Sequence, residues 1–186
     1  YEMSASLVGS EMCIRDRDLS VYKNASVVGT VFHDYSGEDV QKMQAGKQAD
    51  IVELLYQMED ITTPDNKAKN YVYYEARTLH DSSLSKAIHS ITACDLGMEK
   101  EAYDMFMSAA LTDLGQEMKS SDAGIHSANM GGVWQDVVMG FGGIRIRDGH
   151  LRIAPNCPKQ WEKFTYPLYW KGNELHITCL LYTSDA

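Results

Sequence analysis

The hydrophobic period of this chain changes at Gly142-Gly143. Before that pair, apolar residues recur at helical spacing. After it they alternate with polar ones. A helix buries a stripe repeating about every 3.6 residues and a strand buries every second residue, so the two patterns need different partners. The constraint is strong: helices occupy the front of the chain and antiparallel strands the back, which suggests two packed units.

The strand half is clearly written. Ile144-Arg145-Ile146-Arg147 and His150-Leu151-Arg152-Ile153 flank Asp148-Gly149, a hairpin signal. Residues 166–170 and 174–178 flank Lys171-Gly172-Asn173 as a second pair. In the helical half, residues 38–58 carry Val40, Met43, Ile51, Leu54, Leu55 and Met58 on one stripe, which Gly46 weakens. Thr63-Pro64 reads as a helix start. Tyr71-Val72-Tyr73-Tyr74 is short and aromatic. Ser83 reads as the N-cap of a helix over 84–96 that Gly97 stops. A second helix over 99–114 follows, and the short link makes an antiparallel hairpin. A third helix spans 128–141, with Met130, Trp134, Val137, Val138 and Phe141 inward and a close backbone approach at Gly131-Gly132. Val27-Val28-Gly29-Thr30-Val31-Phe32 reads as a strand or an irregular loop.

The ends read differently. Residues 11–17 and 179–184 can be encoded by DNA words that are reverse complements over most of their length. That word resembles the transposase adapter used to prepare sequencing libraries. Residues 1–17 and 179–186 are therefore expected to be adapter-derived and are set aside from fold reasoning. This leaves Cys94 and Cys157, too few for a disulfide framework or a zinc site, which points to a reducing cytosol. The net charge of −9 argues against a nucleic-acid surface, and no apolar run approaches the roughly 20 residues of a membrane helix. The start has no signal-peptide pattern.

Three polar clusters sit beside helix ends: Lys47-Gln48 with Asp50; His80-Asp81-Ser82-Ser83; and Asp122-Ala123-Gly124-Ile125-His126-Ser127 with Asn129. Free backbone N–H groups and the helix dipole favour an anion at a helix start. Together the clusters offer a cation, hydroxyls, an imidazole and backbone donors to one phosphate or sulfate. Each also has a structural reading. Lys47 and Gln48 fit an exposed helix start, Ser82 and Ser83 fit caps, and His126 fits a hydrogen-bond partner. His33, His89, His150 and His176 show no metal-ligand spacing, and GxSxG and glycine-rich phosphate loops are absent.

At these clusters the chain resembles glycoside hydrolase family 65, in particular its kojibiose, maltose, nigerose and trehalose phosphorylases. The resemblance rests on Lys47-Gln48-Ala49-Asp50, on Tyr73-Tyr74-Glu75 through His80-Asp81-Ser82-Ser83-Leu84-Ser85, and on Gly124-Ile125-His126-Ser127-Ala128-Asn129-Met130-Gly131-Gly132-Val133-Trp134-Gln135. Gly140-Phe141-Gly142-Gly143-Ile144-Arg145, Asp148-Gly149, Leu151, Pro155 and Trp161 continue it in order, from about residue 38 to 178.

The resemblance implies a mainly α chain: residues 18–141 as the C-terminal part of an (α/α)6-barrel catalytic domain, and 142–178 as the start of a small antiparallel β-sandwich domain. It implies phosphorolysis of an α-linked glucose disaccharide with inversion, giving β-glucose 1-phosphate and a sugar. Lys47 and Gln48 would bind the donor glucose. Ser82, Ser83, Gly124, His126 and, less directly, Asn129 would bind phosphate. The general-acid glutamate would lie upstream, outside this chain. The family often has Asp-Gly or Gly-Gly before Ile-His, where this chain has Asp122-Ala123-Gly124. No metal or cofactor is implied, and phosphate is a co-substrate. The expected partners are a disaccharide and phosphate, with no nucleic acid or membrane. The parent enzyme is expected to be a cytoplasmic homodimer. Two other readings stay open: a trehalase-like hydrolase and a non-catalytic carbohydrate-binding fragment. Linkage specificity is not legible.

Overall fold

The computed structural model describes residues 19–25, 27–114 and 124–181. The chain opens with a single helical turn, α1 (Ser20–Lys23), and a 3-10 turn, Thr30–His33. The apolar run at 27–32 is thus not a strand among the described residues. Next come α2 (Gly37–Gln41), α3 (Asp50–Gln57) and α4 (Pro64–Glu75). The helical stripe expected over 38–58 is two helices. The chain leaves helix between them, where Gly46 makes a parallel bridge with Thr78.

Thr63 starts α4 as expected: its hydroxyl accepts the Asn66 amide and Pro64 occupies the first turn. The aromatic run Tyr71-Val72-Tyr73-Tyr74 lies in this helix. Tyr71 is fully buried and its hydroxyl donates to Glu101 at 2.8 Å.

Helix α5 (Ser85–Asp95) is the centre of the molecule, and nearly every one of its side chains is buried. A helix enclosed on all sides must be packed by neighbours all round. Gly97, with φ +70°, ends it and turns the chain into α6 (Glu99–Ala110). Ser83 is not the cap of α5. The residue at that position is Leu84, and the Ser82 hydroxyl reaches its amide at 3.4 Å. The helix expected to reach residue 114 closes at Ala110, and Gly115 lies outside the described residues.

Helix α7 (Ser127–Gln135) continues as a π-helical segment, Asp136–Phe141. The wider turn changes which face points inward. Val138 and Phe141 are buried, but Met130 and Trp134 are 57% and 58% exposed, contrary to the expected inward stripe. Of the glycine pair in α7, only Gly132 meets a close neighbour: a Cβ there would stand 3.2 Å from that of Ala87.

Four strands follow: β1 (Ile144–Arg147), β2 (His150–Ile153), β3 (Lys163–Trp170) and β4 (Asn173–Leu180). They form two antiparallel hairpins, β1-β2 and β3-β4. Asp148-Gly149 and Lys171-Gly172 both take positive φ, the twist that tight hairpins favour. The second hairpin is longer than its sequence signal. It pairs Phe164 with Cys179 and Lys163 with Leu180, and Cys179 is buried. Ile144, Tyr166, Leu168, Ile177 and Val138 form a core shared by both hairpins and the π segment. Trp161 joins this unit to the helices, with ring centroids 5.4 Å from Phe106, 5.1 Å from Phe141 and 5.4 Å from Phe164.

Candidate functional site

The three polar clusters are separated in sequence by 30 to 80 residues, so the fold must bring them together. Backbone hydrogen bonds join the first two. The Gly46 amide donates to the Arg77 carbonyl (2.9 Å), the Leu79 amide to Gly46 (2.8 Å) and the Asp81 amide to Lys47 (3.1 Å). This short ladder lays Lys47-Gln48 alongside the entry to Ser82-Ser83. Both Lys47 and Gln48 are exposed, and the Gln48 amide donates to Asp50 at 3.1 Å. A pocket of about 230 Å³ opens beside Gln48, bounded by Asp50, Tyr73 and Arg77.

Helix directions bring in the third cluster. Gly132 meets Ala87, Asp136 meets Ser90 and Gly140 meets Ile91. The pairs ascend together, so α7 runs parallel to α5. Lys86 meets Ser108 at 2.5 Å and Ser90 meets the Ala102 carbonyl at 2.7 Å, so α6 is antiparallel. The N-termini of α5 and α7 therefore point to one end of the layer, together with the C-terminus of α6. Ser82-Ser83 precede α5 there and Gly124-Ile125-His126 precede α7. Two parallel helices aim their positive dipole ends the same way, a setting that favours an anion.

Each cluster is braced. His80 is buried with φ +53°, a left-handed conformation that is costly for a residue bearing a Cβ. Its Nδ1 lies 2.9 Å from the Ser85 hydroxyl and its Nε2 3.7 Å from the Glu75 carboxylate. Lys23 pairs with the same carboxylate. Burial pushes Glu75 up, but the nearby His80 ring and the Lys23 hydrogen bond and charge outweigh it and hold the acid down at about 2. Burial lowers the His80 pKa, opposed by Glu75, so the ring favours its neutral form. The Asp81 carboxylate accepts the Gly29 amide at 3.1 Å.

His126 is held by Asp113. One carboxylate oxygen stands 2.6 Å from Nδ1 and the other accepts the His126 amide at 2.9 Å. Asn129 is buried, and its amide donates to the Ala109 carbonyl at 2.8 Å, tying α7 to the last turn of α6. Gly124 takes φ +138°, and Asp122 and Ala123 lie outside the described residues. Glu75 stands in the Tyr73-Tyr74-Glu75 motif without an assigned role, and sequence reasoning singled out neither Asp113 nor Lys23. Asp113 left a trace as an acid near a helix C-terminus, where the dipole disfavours it.

The architecture is a helical-barrel segment with an appended antiparallel unit. The glycosyl hydrolase family 65 central catalytic domain matches residues 12–135, and the glycosyl hydrolase family 65 C-terminal domain matches 144–179. The chain belongs to glycosyl hydrolase family 65. It is 43% identical over 160 residues to a kojibiose phosphorylase of Halothermothrix orenii, covering 86% of this chain and 20% of that one. It is 41% identical over 161 residues to a kojibiose phosphorylase of Escherichia coli, covering 87% and 21%. A solved structure provisionally designated a kojibiose phosphorylase from human microbiome superposes with a TM-score of 0.74 at 30% identity, covering 82% of this chain and 22% of that one. Other relatives carry the names trehalose and maltose phosphorylase. The chain thus spans about a fifth of the length of the curated relatives it matches.

Proposed function

We propose that this chain is the C-terminal piece of an inverting disaccharide phosphorylase. The parent enzyme cleaves an α-linked glucose disaccharide with inorganic phosphate, releasing β-glucose 1-phosphate and a sugar. The observation that carries this reading is the placement of Ser82-Ser83 and Gly124-His126 at the same end of two parallel helices, ahead of their N-termini, with Lys47-Gln48 bonded alongside. Hydroxyls, an imidazole and helix ends suit a phosphate dianion, and an ammonium beside a carboxamide suits glucose hydroxyls.

In this reading phosphate is the nucleophile, so no second carboxylate has to activate water. Two carboxylates beside the clusters are engaged with the protein itself, which favours this over hydrolysis. Asp81 accepts the Gly29 amide and Asp113 holds His126. The acid that protonates the leaving oxygen lies in the upstream part of the parent protein. We place that enzyme in the cytoplasm as a homodimer that uses no cofactor besides phosphate as co-substrate. Among the described residues no helix is long and apolar enough to cross a membrane.

The test is disaccharide breakdown by the full-length protein with and without phosphate. Glucose 1-phosphate should form only when phosphate is present. Equal breakdown in both conditions would reject phosphorolysis in favour of a hydrolase.

A further inference from the structure

We propose that Asp113 is a positioning residue for His126, setting its imidazole towards the phosphate; this rests on the phosphorolysis reading above. One carboxylate grips His126 twice, at the ring Nδ1 (2.6 Å) and at the backbone amide (2.9 Å). The amide bond fixes where the residue sits just before α7. The ring bond fixes how the imidazole is turned. A carboxylate can only accept, so Nδ1 carries the proton and Nε2 is left as the ring's other polar atom.

The place of Asp113 supports a purpose beyond packing. It follows the C-terminus of α6, where the helix dipole repels an anion. The hydrogen bonds from the His126 ring and amide offset that repulsion and draw the Asp113 pKa below its ordinary value. Neither side chain belongs to the apolar core: 19% of the Asp113 side chain and 26% of the His126 side chain are exposed. Asp113 also lies at the end of the layer that carries the positive dipole ends of α5 and α7. An acid there would repel phosphate if it faced the ligand directly. Spending both of its oxygens on His126 turns it into a support for a donor instead.

Asp113→Asn in the full-length protein tests this. An amide can keep an oxygen for one of the two bonds but cannot serve both as a charged acceptor. The variant should raise the KM for phosphate about ten- to a hundredfold, the cost of a lost charge-assisted hydrogen bond. The KM for disaccharide should stay within about twofold. Asp113→Glu, which keeps the charge, should restore part of the loss. In a His126→Ala background Asp113→Asn should add nothing further, because it acts through the missing ring.

Calorimetric titration with inorganic phosphate gives a readout independent of turnover. Wild type should bind and Asp113→Asn should bind at least tenfold more weakly. An unchanged phosphate affinity, a loss shared equally by both substrates, or an additive double variant would each overturn the proposal. If wild type cleaves disaccharide without phosphate, the phosphorolysis reading fails, and the titration still decides whether Asp113 governs anion binding.

Discussion

The amide of Asp81 donates to the carbonyl of Lys47 at 3.1 Å, across a gap of 34 residues in sequence. With the Gly46–Arg77 and Leu79–Gly46 bonds, it locks the segment proposed to hold glucose against the loop proposed to hold phosphate. In the proposed reading, main chain, which has little freedom to drift, would set the relative position of the two substrates.

This coupling makes the Gly46 amide informative. Gly46→Pro removes the donor to Arg77, a bond contributing about 1 kcal/mol, and restricts the preceding backbone. Both KM values should rise together, by roughly fivefold or more. Initial-rate kinetics with each substrate varied in turn would check this; a rise in only one would show that the ladder does not couple the sites.

Side-chain changes should separate what Gly46→Pro combines. Lys47→Ala should raise the KM for disaccharide about tenfold or more with little effect on phosphate, and Ser83→Ala should do the reverse. The same kinetic series on the full-length protein distinguishes the outcomes.

Asp136 should make stability depend on pH in an unusual direction. It is completely buried, and burial pushes its carboxyl up to about 8, opposed by its bond with Ser90. The Ser90 hydroxyl stands 2.7 Å from the Ala102 carbonyl and 2.9 Å from Asp136. One hydroxyl proton serves one acceptor, so with it on the carbonyl the acid must supply the second. Between about pH 4 and 8 the unfolded chain releases this proton and the folded chain keeps it. Stability therefore falls as pH rises through that window. Asp136→Asn should gain on wild type as pH rises from 4 to 8, by on the order of a few kcal/mol, seen as a rising Tm difference.

Gly143 joins the helices to β1 with φ +62°, and a Cβ there would collide with the Ala154 carbonyl. Gly143→Ala should destabilise by about 2 kcal/mol or more, from the left-handed backbone and the displaced strand connection. Chemical denaturation would register the loss; an unchanged midpoint would refute it.

The isolated 186-residue chain should release no glucose 1-phosphate and should fold poorly. Trp134, Met130, Val72 and Phe32 are each more than half exposed, a load of bare apolar surface that invites association. Phosphate-dependent turnover by this chain alone, or a sharp cooperative melt of a monomer, would contradict the expectation.

Much of this was legible in local chemistry. Thr63-Pro64 announced α4, Gly97 the turn between α5 and α6, and Asp148-Gly149 the first hairpin, because caps and tight turns depend on a few adjacent residues. The misreadings share a cause. The stripe over 38–58 has helical spacing throughout, yet main-chain pairing with Thr78 pulls the Gly46 segment out of helix. Trp134 has the spacing of a core residue, yet it lies outside the core because α7 meets its neighbours along Gly132 and then widens into a π turn.

The sequence by itself determined the order of elements, helices before strands, and the residue types of the candidate site, since periodicity and hydrogen-bonding capacity belong to the residues themselves. Only the tertiary structure decided which of those residues lie at the same end of the helical layer. Parallel packing of α5 and α7 sets Ser83 and His126 at one end, and the α6 contact engages the Asn129 amide with the Ala109 carbonyl. The same packing supplied Asp113, whose partner lies 13 residues on. Such pairings depend on helix direction and rotation, which no local pattern encodes.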